Sequence, residues 1–147
     1  ASAVPRPEGQ RLDGLHVLLV EDNEINQEIA KELLLMEGAS VDVADNGEQA
    51  LNIFARSEEG YYQLVLMDIQ MPVMDGYTAT AALRSLRRDD AKTTIILAMT
   101  ANVFSDDVIK AEASGMNGHI SKPFDPDKLY AMIAASCHKK RGDGPAG

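Results

Sequence analysis

Apolar residues are distributed along this chain in two alternating patterns. Short continuous runs at residues 15–20, 64–67 and 94–99 are separated by longer stretches in which apolar positions recur every third or fourth residue. A continuous run is what a strand covered on both faces requires, and the helical spacing marks the segments that would cover it. The first run stops at Glu21, Asp22, Asn23 and Glu24. From there to Glu37, Ile25, Ile29, Leu33 and Met36 fall at helical spacing, with Asp22 or Asn23 suited to cap the helix and Gly38 to end it. Residues 41–44 alternate as an edge strand does, Asp45, Asn46 and Gly47 turn the chain, and Ala50, Leu51 and Phe54 form the apolar stripe of a second helix reaching about Arg56. Residues 57–60 read as a loop.

The second run ends abruptly at Asp68, and turn residues follow it. Asp75 suits the cap of a third helix, with Ala79, Leu83 and Leu86 inward and Arg84, Arg87 and Arg88 in water, ended by Asp89 and Asp90. Residues 94–100 predict a fourth buried strand and residues 105–114 a weaker helix closed by Gly115. Residues 118–122 predict a short fifth strand, stopped by Pro123, which cannot continue a central ladder. In the last helix Asp125 caps, Pro126 occupies the first turn, and Leu129, Met132, Ile133 and Cys137 share one face. Lys139, Lys140 and Arg141 complement its C-terminal dipole, and Gly142 onward is expected to be disordered. Five strands alternating with five helices predict an α/β fold with a doubly wound parallel sheet, because each strand must return through a right-handed helical crossover. The domain is expected over residues 14–138, with 1–13 a linker or cloning remnant and 139–147 a disordered tail.

Composition narrows the partners more than the fold. The 147 residues carry 14 basic and 23 acidic side chains, a formal net charge of -9, with 5% aromatics and no Trp. That is not the electrostatic footprint of a nucleic-acid binder, and it favours cations or basic patches. The single cysteine, Cys137, precludes an internal disulfide and fits a reducing, cytoplasmic compartment. No apolar run approaches the roughly 18 residues that a spanning helix needs, so no membrane contact is expected.

The predicted sheet sends chemistry to one edge. Glu21 and Asp22 leave the first strand, Asp68 the third and Thr100 the fourth, while Lys122 adds a cation from the fifth. In open α/β sheets ligands bind at the carboxyl ends of the strands. Carboxylates crowded there repel unless a hard cation sits among them, and oxygen ligation with retained water is the preference of Mg²⁺. A carboxylate held beside Mg²⁺ and an ammonium is a candidate nucleophile toward phosphorus. Asp68 is then a phosphoryl acceptor, Lys122 a point charge for a phosphoryl oxygen, and the Thr100 hydroxyl a donor to another.

Four motifs carry a family resemblance: VEDNEINQ at 20–27, LMDIQMPVMDG at 66–76, MTAN at 99–102 and SKPF at 121–124. In order and separation they resemble the receiver domains of two-component response regulators, and most of all receivers fused to hybrid sensor histidine kinases. The resemblance implies a five-stranded, flavodoxin-like sheet in the order 2-1-3-4-5. It implies Asp68 as the phosphorylated residue, Asp22 as a Mg²⁺ ligand, Glu21 acting mainly through metal-bound water, and the Gln70 carbonyl as a further ligand. Its implied partners are a sensor histidine kinase and a histidine phosphotransfer protein, with the domain a monomer or weak dimer. In the family an aromatic residue of the fifth strand swings inward on phosphorylation, and this chain has His119 there. Gln70 and Asn102 flank the acceptor. Asp75, Pro72 and Gly76 read as structural rather than chemical. Other readings are a receiver-like binding module without phosphorylation, a flavodoxin-like cofactor carrier, and a phosphatase of another α/β type. The carrier would need a hydroxyl- and glycine-rich loop where Glu21 to Glu24 stand, and the phosphatase a second catalytic aspartate where Gln70 stands.

Overall fold

Leu64–Asp68 is buried along its whole length, and so is Ile95–Thr100, because both lie inside a sheet with helices on each face. The computed structural model describes residues 12–69, 74–100, 106–122 and 125–142. In chain order the elements are β1 (His16–Val20), α1 (Glu24–Met36), β2 (Ser40–Ala44), α2 (Gly47–Arg56), β3 (Leu64–Asp68), α3 (Gly76–Arg84), α4 (Asp90–Thr93), β4 (Ile95–Thr100), α5 (Asp106–Ala113), β5 (Gly118–Ser121) and α6 (Pro126–Gly142). The strands pair in parallel in the order β2-β1-β3-β4-β5, as the resemblance implied. Five helices run eight residues or more, and α4 adds a single turn after the expected end of the third helix.

Alternation along the strands builds two cores. Val17, Leu19, Leu64, Leu66, Ile95, Leu97 and Met99 meet Ala30 and Leu34 of α1 and Leu129 and Ile133 of α6. Leu18, Val20, Val65, Met67, Ile96 and Ala98 meet Ala50 and Phe54 of α2 and Ala79 and Leu83 of α3. Four helix starts carry a polar cap. Asn23, Asn46 and Asp75 accept from the N–H groups of Asn26, Gln49 and Thr78, and Asp125 accepts from Asp127. Gly38, at φ +91°, takes the left-handed turn after α1.

Four expectations are corrected. In α1 the inward residues are Ala30 and Leu34, whereas Ile25, Ile29 and Met36 are exposed and Leu33 is half-buried. Large apolar residues occupy two sides of this helix, and the larger ones drew attention to the wrong one. Arg84 does not face water. Its guanidinium donates to the carbonyls of Ala91, Thr94 and Gly115 and to the Asn117 side chain, holding four chain segments together. Arg88 likewise turns back to pair with Asp90, to donate to Phe54 O and Ser57 O, and to lie over the Phe54 ring. Only Arg87 of the three is exposed. At the boundaries, Leu12 is buried and donates to Glu37 O at 2.8 Å, so the fold begins before Gly14. A lone leucine in a Pro- and Gly-bearing leader has no periodicity to reveal it. At the other end α6 continues to Gly142, and residues 139–142 are helical rather than part of a tail, since nothing before Gly142 interrupts a run of good helix formers. The expected linker before residue 12 and the tail after residue 142 lie outside the described residues.

Candidate functional site

Strands β1, β3 and β4 end within two residues of one another in register, so the residues that leave them arrive at one place. Asp68 closes β3 and Thr100 closes β4, both 4% exposed, and Glu21 follows β1 at 1% exposure. Asp22 is exposed at the rim. Lys122 comes directly after β5, and its backbone N–H donates to Thr100 O at 2.8 Å. These five residues, with Asn23, Asn26, Ile69 and Met99, line one open cleft of about 240 Å³. The structure therefore brings together five of the six residues expected at the site. The sixth, Gln70, lies outside the described residues, as do Pro72 and Asn102. His119 is half-buried on β5, opposite Ala98 of β4. The side chain of Cys137 is outside the description.

Carboxylate oxygens of Glu21, Asp22 and Asp68 all lie within 4.8 Å of one another. The Lys122 ammonium stands 2.8 Å from Glu21 Oε1 and 3.2 Å from Asp68 Oδ2. Burial pushes the Lys122 ammonium toward losing its proton, but the two carboxylates more than offset this and keep it charged. For Glu21 burial dominates. It raises the carboxyl above the usual range, Lys122 pulls it back, and Asp68 pushes it up again. Glu21 Oε2 accepts from the Asn23 N–H at 3.2 Å. Glu21 Oε1 is buried without a well-aligned hydrogen-bond donor, although the ammonium is beside it. Three carboxylates against one ammonium leave two negative charges, which a divalent cation would neutralise. With an all-oxygen donor set and an under-coordinated buried oxygen, the residues present fit Mg²⁺.

Gly76 shows how closely α3 approaches this site. A Cβ at position 76 would collide with the carbonyl of Asp68 and come within 2.8 Å of Ile69 Cα. Its absence is a packing requirement where α3 meets the end of β3, consistent with a structural reading of that glycine. Asp75 serves as the helix cap.

One contributor escaped the sequence reading. The Gln27 amide Nε2 donates to Glu21 O at 2.6 Å and to Asp45 Oδ1 at 2.9 Å. Its position one turn after the Asn23 cap was the available signal. Asp45 in turn receives Gln49 at its other side, its N–H donating to Gln49 Oε1 at 3.0 Å.

Comparison with known proteins agrees with this geometry. The model of the family described as response regulator receiver domain matches residues 17–134. The transcription factor SKN7 of Candida albicans is 41% identical over 133 residues, covering 90% of this chain and 22% of that protein. Hybrid signal transduction histidine kinase I of Dictyostelium discoideum is 35% identical over 127 residues, 85% of this chain and 7% of the kinase. The chain thus spans less than a quarter of these relatives. Among solved structures, the receiver domain of a sensor histidine kinase from Pseudomonas aeruginosa superposes with a TM-score of 0.77 at 33% identity, covering 85% of this chain and 98% of that one. That crystal structure has a magnesium ion coordinated in its active-site cleft.

Proposed function

The chain belongs to the response regulator receiver domain family and so to two-component phosphorelay signalling, and from that premise we propose that Asp68 is the residue that accepts the phosphoryl group. One observation carries the assignment: a buried carboxylate at the end of the central strand lies 3.2 Å from an ammonium that also holds Glu21. In the transfer an Asp68 oxygen attacks the phosphorus of a phosphohistidine. The P–N bond breaks as the P–O bond forms, and the departing imidazole keeps the electron pair and takes up a proton. The product is an acyl phosphate. Water, or the histidine of a phosphotransfer protein, reverses the state by attacking the same phosphorus.

Glu21, Asp22, Asp68 and the Gln70 carbonyl would hold Mg²⁺, the ion found in the Pseudomonas receiver. When bound, it withdraws negative charge from the phosphoryl oxygens and from the acceptor carboxylate. The remaining work is done by the chain. Lys122, already aimed at Asp68, holds one phosphoryl oxygen. The Thr100 hydroxyl, fixed on the neighbouring strand end, donates to another. Ile69 and Met99 supply the apolar lining beside these charges. The partners are a sensor histidine kinase and a histidine phosphotransfer protein, supported by the kinase relatives, with the domain acting in the cytoplasm as a monomer or weak dimer. Among the described residues no helix is long and apolar enough to cross a membrane.

The test is intact mass after incubation with acetyl phosphate and Mg²⁺. One hydroxylamine-labile phosphoryl group should appear in the wild type and be missing in Asp68→Asn. An unchanged wild-type mass, or equal labelling of the variant, would favour a receiver-like module that binds without being phosphorylated.

A further inference from the structure

Glu21 and Asp22 are neighbours in sequence, and side chains of neighbours in an extended strand point to opposite faces. Here both send carboxylate oxygens to within 4.8 Å of each other and of Asp68. The chain must therefore turn at the Glu21–Asp22 peptide, and something must hold the turn. We infer that Gln27 is the positioning residue for this cluster: its amide fixes the carbonyl of the Glu21–Asp22 peptide so that the two carboxylates converge. The inference rests on the reading of the cluster as a Mg²⁺ site.

The hydrogen bonds define the role closely. Gln27 Nε2 reaches Glu21 O at 2.6 Å and Asp45 Oδ1 at 2.9 Å. Both partners only accept, so both protons of this one nitrogen are committed and the amide has one possible orientation. On the other side of the turn, the Glu21 N–H donates to Ala44 O at 3.1 Å and the Asn23 N–H to Glu21 Oε2 at 3.2 Å. Asp45 sits in the β2–α2 turn, braced by Gln49. The acidic loop is thus tied through Gln27 to a turn that does not line the cleft. Groups that orient ligands in this indirect way typically matter about 10- to 100-fold for metal affinity.

Gln27→Met keeps the length of the side chain and removes both donors. Titrated calorimetrically with Mg²⁺ alone, it should bind about tenfold more weakly than the wild type. The melting temperature in EDTA should fall by a few degrees at most, the cost of the two lost hydrogen bonds. Equal Mg²⁺ affinity overturns the inference, as does a fall of more than about ten degrees in the EDTA melting temperature, which marks a general structural part instead. Should Gln27→Met not fold, Asp45→Ala frees the far end of the same amide, and undiminished Mg²⁺ affinity there overturns the inference equally. A wild type that binds no Mg²⁺ removes the metal site itself, and the inference with it. Normal wild-type binding with a normal variant removes the inference alone.

Discussion

Individual side chains in this domain are held by different balances of burial and partnership, and Thr80 and Asp68 mark the extremes. Asp68 is buried next to a cation at the end of a strand, whereas the Thr80 hydroxyl is buried in α3 with no hydrogen-bond partner among the described residues. An unsatisfied buried hydroxyl costs free energy, and an apolar group of the same shape removes that cost. Thr80→Val should therefore raise stability by about 1 kcal/mol in urea unfolding, and a loss of stability would show that the hydroxyl is satisfied in solution. The meeting of Glu21, Asp22, Asp68, Thr100 and Lys122 at one sheet edge was readable from sequence because they end or follow an apolar run or a short strand. Gln27 and Arg84 were not. Their roles depend on which carbonyls fold back within reach, and Gln27 to Asp45 or Arg84 to Asn117 are contacts that local pattern does not encode.

Among the elements, α1 separates hydrophobicity from burial most clearly. Its position, start and end were predictable from Asn23, the helical spacing and Gly38, yet its inward face was not. Periodicity fixes the spacing of a stripe, but where two stripes compete only packing decides between them, and Ala30 and Leu34 are the residues of α1 that pack into the cluster with Val17 and Leu19 of β1. Ile25 remains 71% exposed. Ile25→Ser should accordingly change unfolding stability by no more than about 0.5 kcal/mol, measured by denaturant titration, whereas a core residue would cost several times that. The third helix illustrates the converse. Its cap and inward residues were evident, but Arg84 and Arg88 look like surface residues in any periodic pattern and are instead fasteners for the loops around α4.

At the scale of the whole molecule, the sheet order came from resemblance rather than from pattern, since alternating strands and helices are compatible with several orders. The closure of the far side of the molecule was not foreseen at all. There Asp90 joins α4 to the loop after α2, pairing with Arg88 and accepting from the Gly60 N–H at 2.7 Å. Burial pushes its carboxyl up, but Arg88 and the Gly60 N–H outweigh that and hold it below its usual value. A depressed carboxyl stabilises the fold at pH values above the unfolded pKa of about 3.9, and that contribution disappears as the pH falls through the lower folded value. Asp90→Asn should thus lower stability by about 2 kcal/mol at pH 7, with the gap between variant and wild type closing below about pH 4. A gap independent of pH would mean that shape, not charge, makes the contact. Four strand ends converge on the site. Lys122, the only ammonium at Asp68 among the described residues, follows β5, a four-residue strand at the margin of the sheet. Asp68 ends a strand with a neighbour on each side, so the carboxylate is fixed by two ladders and its counter-charge by one.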